Sequence, residues 1–574
     1  MRFSVLALDF DGTIAEHGVL DAGVRQAIAD ARARDITVVI VTGRILDELR
    51  GLIGDLRLVD AVVAENGAVV SFPESGRSTV LAAAAPAALA DALRGAGVAI
   101  VVGESVIEAE AATAPAVLAA IRQLELPQVI IFNRGRLMVL PSGVNKAMGL
   151  REALRSLRLS VHNTIAIGDA ENDHDLIEAC ELGVAVAWGS AALKARADEV
   201  LEGTGPPAVA GYIRTVVDQP RIPPTRVGRR HVSLGRDRDG RPVSIAVRGR
   251  NVLIVGDPKS GKSWAAGLLC EQLILQRYST CVIDPEGDYS GLETLPGVVI
   301  LGGGAEGPSP RELRVALRYP DVNVVLDLSH MRHGRKWAYI RALLPALAEM
   351  RRRGGVPHRI LLDEAHYFLH EASISQLLDL ELAGYTLVTY QPSRLHPDVV
   401  AASEATIVTR LTDPRELEAL ATSSGWTPAW REAIGQLELG QAALLPGAPG
   451  ADGAMTIVEL APRMTSHVRH REKYLDVPVP RDRAFVFSND PASAHPIAAS
   501  LREFVVAVAS RPVDQLRTFL DRGDFSRWIA TVFGDTMLAD QVRGIEDQFR
   551  LGRVSDVSDA IAHAVEERYE LTGR

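Results

Sequence analysis

The chain has 574 residues, and its 62 Lys+Arg against 72 Asp+Glu leave a formal charge of −10. That length predicts about three or four domains at roughly 150 residues each, and 47% hydrophobic with 23% charged residues is globular, not disordered. The longest alanine-rich apolar run, Val80 to Leu93, is too short to span a bilayer, and cysteines at 180, 270 and 281 lack the spacing of a disulfide framework or a four-cysteine zinc site.

The N-terminus reaches acidic residues by position nine, which excludes a secretory signal and predicts a cytoplasmic protein with no membrane partner. Of the 62 basic residues only six are lysines: Lys146, Lys194, Lys259, Lys262, Lys336 and Lys473. Arginine replaces lysine on most surfaces, but not where a compact ammonium must sit beside a phosphate.

Along residues 1–80, strand Phe3–Leu8, helix Ala22–Arg34 and strand Ile36–Val41 alternate, and a third strand starts at Ala61, as in a parallel α/β sheet. Residues 84–140 read as a separate βαβ-like insert, after which core strands resume at Thr164–Ile167 and Gly183–Val186. Breaks are expected at Gly203–Pro207 and Pro220–Pro224. A second α/β pattern has strands at Val252–Val255, Thr280–Ile283, Val298–Leu301, Val322–Leu326, Ile360–Leu362 and Thr386–Tyr390, with Pro446–Gly453 as a loop in its last hairpin. From about Pro480 a third unit starts with a strand at Arg483–Phe487 and becomes helical from Ile497 to Ala564. Within it, Arg522-Gly523-Asp524 reads as a junction between helices, Trp528 as core, and His467, His470 and His495 as surface residues.

Two groups of residues carry chemistry. The first strand runs into Asp9-Phe10-Asp11-Gly12-Thr13, two carboxylates at the exit of a buried parallel strand, where one can attack phosphorus and the other shuttle a proton. Val41-Thr42-Gly43-Arg44 offers a hydroxyl and amides to phosphate oxygens, and Lys146 a point charge. Ile167-Gly168-Asp169-Ala170-Glu171-Asn172-Asp173 ends another strand in an acidic cluster suited to Mg²⁺.

In the second group, Gly256-Asp257-Pro258-Lys259-Ser260-Gly261-Lys262-Ser263 lies between a strand and a helix expected from Trp264, the context of a phosphate-cradling P-loop for ATP. Lys262 would reach the β/γ-phosphates and Ser263 a Mg²⁺ ion. About a hundred residues on, the strand before Asp363 and Glu364 suits a metal-side acid and a residue that activates water.

The first group resembles the haloacid dehalogenase (HAD) superfamily of phosphohydrolases over about residues 1–218, with four motifs in order. The resemblance implies a Rossmann-like domain with a small Cof-type αβ cap at about 84–140. Asp9 would be the nucleophile, forming an aspartyl-phosphate, and Asp11 the general acid/base. Thr42, Gly43 and Lys146 would bind phosphate, and Asp9, the Asp11 carbonyl and Asp169 would hold Mg²⁺ with Asp173 in support. One departure is Ala147, where the family usually has Gly after the lysine.

Residues 225–465 resemble the HerA/FtsK-type motor ATPases in Asp284-Pro285-Glu286-Gly287-Asp288-Tyr289, Asp363-Glu364-Ala365-His366 and Thr389-Tyr390-Gln391-Pro392-Ser393. This implies a RecA-like P-loop domain over 219–465 whose lead-in strands span Val232–Val247, with Gln391 as γ-phosphate sensor. It also implies a homo-oligomer, as a hexameric ring, in which a neighbour supplies an arginine finger; Arg410 is the first candidate and Arg394 the second. HerA itself carries an N-terminal β-barrel where this chain has the HAD unit. Residues 480–574 form a small, mainly helical C-terminal module.

Three functions fit. One is a bifunctional phosphohydrolase and ATPase in which ATP binding or turnover gates phosphatase access or remodels a partner. Another is a DNA or RNA translocase or end-processing enzyme, acting on phosphorylated nucleic-acid ends instead of a phosphorylated small molecule. The third is a nucleotide-sensing scaffold. Arg221–Arg250, with nine Arg and two Asp, the Arg351–Arg353 triplet and Arg463–Arg483 could line a pore. The same segments also read as solvated surface or interdomain salt bridges.

Overall fold

The computed structural model describes residues 3–133, 135–219, 230–246, 250–304, 306–331, 333–370, 374–424, 428–445, 455–465, 479, 483–487, 497–533, 536–554 and 556–569. Residues 221–229 and 247–249, most of Arg463–Arg483, the Pro446–Gly453 loop, and His467, His470 and His495 lie outside the described residues. The chain divides into two compact units. One comprises Met1–Pro285 with Tyr289–His467, and the other Val468–Arg574 with Glu286–Asp288.

The first unit contains two large sheets. The N-terminal sheet has the order Glu199–Leu201, Leu182–Val186, Thr164–Gly168, Val5–Asp9, Thr37–Val41, Ala61–Ala64, Val69–Phe72, Arg77–Val80. Its first six strands are parallel and its last two antiparallel. Along Val5–Asp9 the pleat sends Leu6 and Leu8 into one hydrophobic cluster, and Val5 and Ala7 into the cluster on the other face. A strand buried on both faces reads as an unbroken apolar run, which is why it is legible in sequence.

The insert differs from a βαβ unit. It is a four-stranded antiparallel sheet, ordered Gln128–Asn133, Arg136–Pro141, Ile107–Glu110, Ile100–Val102, with helices Ala87–Gly95 and Ala114–Gln123. Each helix precedes a strand pair short enough to close as a hairpin, a connection that parallel strands cannot make. The expected break at Gly203–Pro207 contains the start of helix Gly205–Asp218, whose Pro206 and Pro207 occupy first-turn positions that need no N–H donor.

The second sheet has eleven strands: Pro242–Ala246, His231–Asp237, Thr456–Leu460, Gln441–Leu445, Ala405–Val408, Val252–Val255, Tyr385–Thr389, Arg359–Leu362, Thr280–Asp284, Asn323–Asp327, Val298–Gly302. The last seven are parallel and the first four antiparallel. Two strands lie one residue from their expected positions. Tyr385 enters the sheet and Tyr390 leaves it, and Val322 gives way to Asn323, whose side-chain oxygen accepts from Thr280 N at 2.9 Å.

Several arginines with a possible role at nucleic acid are committed to internal contacts. Arg463 is buried, and its Nε lies 2.8 Å from Glu271 Oε1 on helix Lys262–Leu275. Gly267 on that helix leaves the space for it, since a Cβ there would come within 2.3 Å of the guanidinium. Arg351 is buried and donates to Ala383 O, whereas Arg352 pairs with Glu349 and Asp379, and Arg353 with Glu349. Arg230 donates to the carbonyls of Glu178, Ala179 and Cys180.

In the second unit, the described part of the expected strand shortens to Phe485–Val486, paired with Ile497–Ala498. Helices follow at Leu501–Ala509, Val513–Arg522, Asp524–Trp528, Thr536–Arg550 and Val557–Tyr569. Gly523, at φ +65°, ends one helix and starts the next, as the junction reading of Arg522-Gly523-Asp524 requires. Phe504, Phe519, Phe525 and Trp528 each pack edge to face against Phe485.

Removing one partner of a buried ion pair leaves the other charge stranded. Glu271→Ala should therefore destabilise the first unit by about 3–5 kcal/mol, whereas Arg353→Ala, on an exposed pair, should cost under about 1 kcal/mol. Urea unfolding of the two variants side by side measures the difference.

Candidate active sites

At the carboxyl end of strand Val5–Asp9, Lys146 Nζ lies 2.5 Å from Asp9 Oδ1 and 2.6 Å from Asp173 Oδ1, with the ammonium and both carboxylates buried. Asp173 Oδ2 accepts from the N–H groups of Asp169 and Ala170, both at 3.0 Å, and Thr13 Oγ1 donates to Asp169 Oδ1 at 3.2 Å. Helix Lys146–Leu157 is capped by Asn145 Oδ1, which accepts from Met148 N at 2.8 Å. The helix start is pressed onto Gly67, whose φ is +108° and where a Cβ would come 2.0 Å from Asn145 O. That close approach fixes where the ammonium arrives.

Burial, reinforced by Asp173 and Asp169 and opposed by Lys146, holds Asp9 well above the usual carboxylate range. Burial alone would lower Lys146, but Asp173 and Asp9 outweigh it and raise the ammonium above its ordinary value. Asp9, Asp169 and Asp173 each place an oxygen within 4.8 Å of the others. Against three carboxylates the one ammonium leaves negative charge uncompensated, and all the donors are hard oxygens, so the cluster fits a divalent cation such as Mg²⁺.

Asp11 stands apart from that cluster. Arg44 grips it through Nε to Oδ2 at 2.6 Å and Nη2 to Oδ1 at 2.7 Å, and also holds Glu48 Oε1 at 2.5 Å. Thr42 is buried, and its Oγ1 accepts from Arg44 N at 3.2 Å. Gly43 faces the cap, where a Cβ would meet Met138 Sδ at 2.9 Å. From the cap, Arg136 pairs with Glu108 and lies 3.7 Å from Glu48. Glu65 anchors the turn between cap strands Ile100–Val102 and Ile107–Glu110 by accepting from the N–H groups of Glu104, Ser105 and Val106 at 2.8–3.2 Å.

In the second sheet, strand Val252–Val255 lies between Ala405–Val408 and Tyr385–Thr389. Its loop turns through Lys259 at φ +65° and Gly261 at φ +106° before helix Lys262–Leu275, which starts two residues earlier than expected. Such a left-handed turn directs successive amides into one concavity, an anion cradle. Lys262 Nζ donates to Asp257 O at 2.9 Å and lies 5.9 Å from the Tyr390 ring. Ser260 Oγ is 2.6 Å from Thr409 Oγ1, and Thr412 Oγ1 donates to Asp257 Oδ2 at 2.7 Å.

Asp363 Oδ1 accepts from Glu364 N at 2.8 Å, and Glu364 has φ +49°, a left-handed conformation that a non-glycine residue adopts at a cost. His366, fully buried, has its Nδ1 3.1 Å from Thr389 Oγ1 and 3.6 Å from Glu364 Oε2. Burial, with the charges of Arg394 and Lys262, pushes its pKa down to about 3. Thr389 Oγ1 also accepts from Gln391 N at 2.9 Å, so the acidic strand end and the Gln391 strand end are bridged. Arg394 donates to Gln391 Oε1 of its own chain at 3.3 Å, and Arg410 gives its carbonyl to Asp257 N at 2.8 Å with its side chain exposed.

Residues 6–93 and 106–213 match the haloacid dehalogenase-like hydrolase family. The phosphoglycolate phosphatase of Natronomonas pharaonis is 31% identical over 213 residues, 35% of this chain and 91% of that protein. The Methanothermobacter thermautotrophicus phosphoglycolate phosphatase is 31% identical over 218 residues, 36% of this chain and 96% of its own. The chain belongs to the haloacid dehalogenase-like hydrolases.

A haloacid dehalogenase-like hydrolase from Bacteroides thetaiotaomicron is 17% identical with a TM-score of 0.34, covering 38% of this chain and 100% of that one. Residues 234–351 match the central domain of helicase HerA, so an ATPase domain of that type follows the HAD domain. No described helix is long and apolar enough to cross a membrane.

The HAD domain thus brings Asp9, Lys146, Asp169 and Asp173 together, with Thr42 and Gly43 beside them on the adjacent strand end and Asp11 turned to Arg44. Sequence reading assigned no role to Glu108, Arg136, Glu65 or Thr13. Glu65 sits in Glu65-Asn66-Gly67 at left-handed φ, a local signal of a constrained turn. Glu108 and Arg136 meet only through the register of two antiparallel strands.

Burial, partly opposed by Arg136, pushes Glu108 up to about 7 from 4.5. The folded chain then binds a proton that the unfolded chain releases, so stability falls as pH rises from about 4.5 through about 7. Glu108→Gln should remove that decline, as read from urea midpoints across the range.

Proposed function

We propose that the HAD domain, about residues 1–218, is a Mg²⁺-dependent phosphohydrolase of small phosphorylated organic acids, joined to an ATPase domain over about 219–465 and a helical module over 480–574. The observation that carries this is the buried Lys146 between Asp9 and Asp173 beneath a cap that presents Arg136. Asp9 attacks phosphorus in line, and Lys146, Thr42 and the Gly43 amide hold the phosphoryl oxygens. Asp11 protonates the leaving alcohol and then takes a proton from the water that cleaves the aspartyl-phosphate.

Asp9, the Asp11 carbonyl and Asp169, steadied by Asp173, would hold Mg²⁺, which supplies charge neutralisation at the phosphoryl group. Relatives named phosphoglycolate phosphatases support a carboxylated substrate, and Arg44 and Arg136 are the cations suited to a carboxylate there.

At the second site the loop Gly256–Ser263 wraps the ATP phosphates, with Lys262 on the β/γ-phosphates and Ser263 and Asp363 on the Mg²⁺ side. Glu364 orients the attacking water and Gln391 reads the γ-phosphate. A second reading, a ring-forming ATPase on DNA or RNA with Arg410 as the finger supplied to a neighbour, rests on the match to the HerA central domain. The internal commitments of Arg351 and Arg463 favour the small-molecule reading.

Asp9→Asn should lower phosphatase turnover at least about 10³-fold and leave ATP hydrolysis within about twofold, while Glu364→Gln should do the reverse. Hydrolysis of phosphoglycolate, glycerol phosphate and 5′-phosphorylated DNA by the same preparations ranks the substrate classes. Loss of both activities in Asp9→Asn would refute two independent sites. ATPase activity stimulated by DNA, and more steeply at low salt, would favour the second reading.

A further inference from the structure

The two catalytic domains of the first unit meet at the amino ends of their sheets. On the HAD side the contact is made by Ser160–Asn163 and Glu181, which precede strands Thr164–Gly168 and Leu182–Val186. On the ATPase side it is made by Gln276–Ser279 and His358, which precede Thr280–Asp284 and adjoin Arg359–Leu362. Both active sites lie at the carboxyl ends of those sheets, so they face away from each other. A shared cleft, or passage of a product from one site to the other, does not fit this arrangement. Any communication must cross the join.

At the join, His162 is buried with Nδ1 3.1 Å from Glu181 Oε2 and Nε2 2.9 Å from the main-chain carbonyl of Gln276. The Gln276 carbonyl can only accept, so Nε2 is the nitrogen that donates to it. Burial raises Glu181, but the His162 ring, the charge of Arg230 and the bond from Tyr278 outweigh it and hold the carboxyl below its usual range. It stacks on Tyr278 at 3.7 Å between ring centres, and Tyr278 Oη donates to the same carboxylate oxygen at 2.8 Å.

His358 faces the pair edge-on. Its Nδ1 accepts from Ser279 N at 2.8 Å and its Nε2 donates to Asn163 Oδ1 at 3.0 Å, which makes it neutral. Burial, with His162 and Arg351, holds it well below the usual imidazole range.

Two rigid elements end on the His162 ring. Gln276 is the C-terminal cap of helix Lys262–Leu275, so the carbonyl that His162 meets belongs to the end of the P-loop helix. His162 lies two residues before the strand whose far end carries Asp169. Nucleotide phosphates would bind at the opposite end of that same helix.

We propose that the His162–Glu181–Tyr278 cluster is a hydrogen-bonded latch through which nucleotide at the P-loop changes the turnover rate of the HAD site. This inference rests on the two activities proposed above and adds the route between them. A shift of the P-loop helix along its axis moves the Gln276 carbonyl against a ring that Glu181 fixes to the HAD sheet. The force is delivered to strand Thr164–Gly168, and through it to Asp169 and Asp173.

The test uses the full chain, with p-nitrophenyl phosphate as phosphatase substrate and the non-hydrolysable β,γ-imido analogue of ATP with Mg²⁺ as nucleotide. The wild-type phosphatase rate should change by at least about threefold when the analogue saturates. In Glu181→Gln and in His162→Gln that ratio should fall to about one. The nucleotide-free phosphatase rate and the affinity for the analogue should stay within about twofold of wild type. A ratio preserved in both variants, or a wild-type rate indifferent to the analogue, overturns the latch.

Amide hydrogen exchange on wild-type protein gives a second readout that needs neither a variant nor turnover. The analogue should change protection in residues 161–168, and no change there overturns the proposal as well. Failure of the underlying function has a different signature: no phosphatase turnover by the wild type under any condition, or no analogue bound.

Discussion

A parallel sheet puts its chemistry on the loops after the carboxyl ends of its strands, because the connections there are free to vary while the strands stay buried. This chain carries two such sheets in one compact unit, and both obey that rule. Asp9 and Asp169 follow one set of strands; the P-loop, Asp363 and Gln391 follow the other. The amino edges are left for joining the domains, and they meet there through buried His162, Glu181 and Tyr278. The opposed sites and the polar character of the join both follow from that geometry.

Charge burial is the second organising constraint. A buried ion is costly unless paired and hydrogen-bonded, and the chain repeatedly satisfies the requirement within a domain. Lys146 is held by two carboxylates, and Glu271 by Arg463 and by the N–H groups of Met464 and Thr465. In the HAD site the carboxylates outnumber Lys146, and that excess favours a divalent cation. In the ATPase domain the effect is subtractive, since arginines that a linear reading could give to nucleic acid are consumed in holding helices and turns.

The strands of both sheets were legible because strands covered on both faces are continuous apolar runs. The motif residues were legible because phosphate chemistry needs particular groups at fixed offsets from a strand end. The cap's place was legible too, but its connectivity was not, since the antiparallel pairing that brings Arg136 to Glu108 leaves no periodic trace. His366 shows the same gap in another way: it is visible as part of a motif, yet its neighbours Thr389 and Glu364 come from two strand ends.

The sequence by itself determined the two reaction types, since Asp9, Lys146, Asp169 and the loop Gly256–Ser263 are local patterns whose chemistry travels with them. It also determined that the few lysines mattered: Lys146 and Lys262 lie in the two sites, while Lys336 and Lys194 donate to the carbonyls of Pro285 and Ala187. Only the tertiary structure decided which charges are spent internally, which cap residues meet the HAD strand ends, and how the two domains meet. The join depends on contacts between residues far apart in the chain, such as His162 with Gln276, 114 positions away, and Glu181 with Tyr278, 97 away, and no local spacing encodes them.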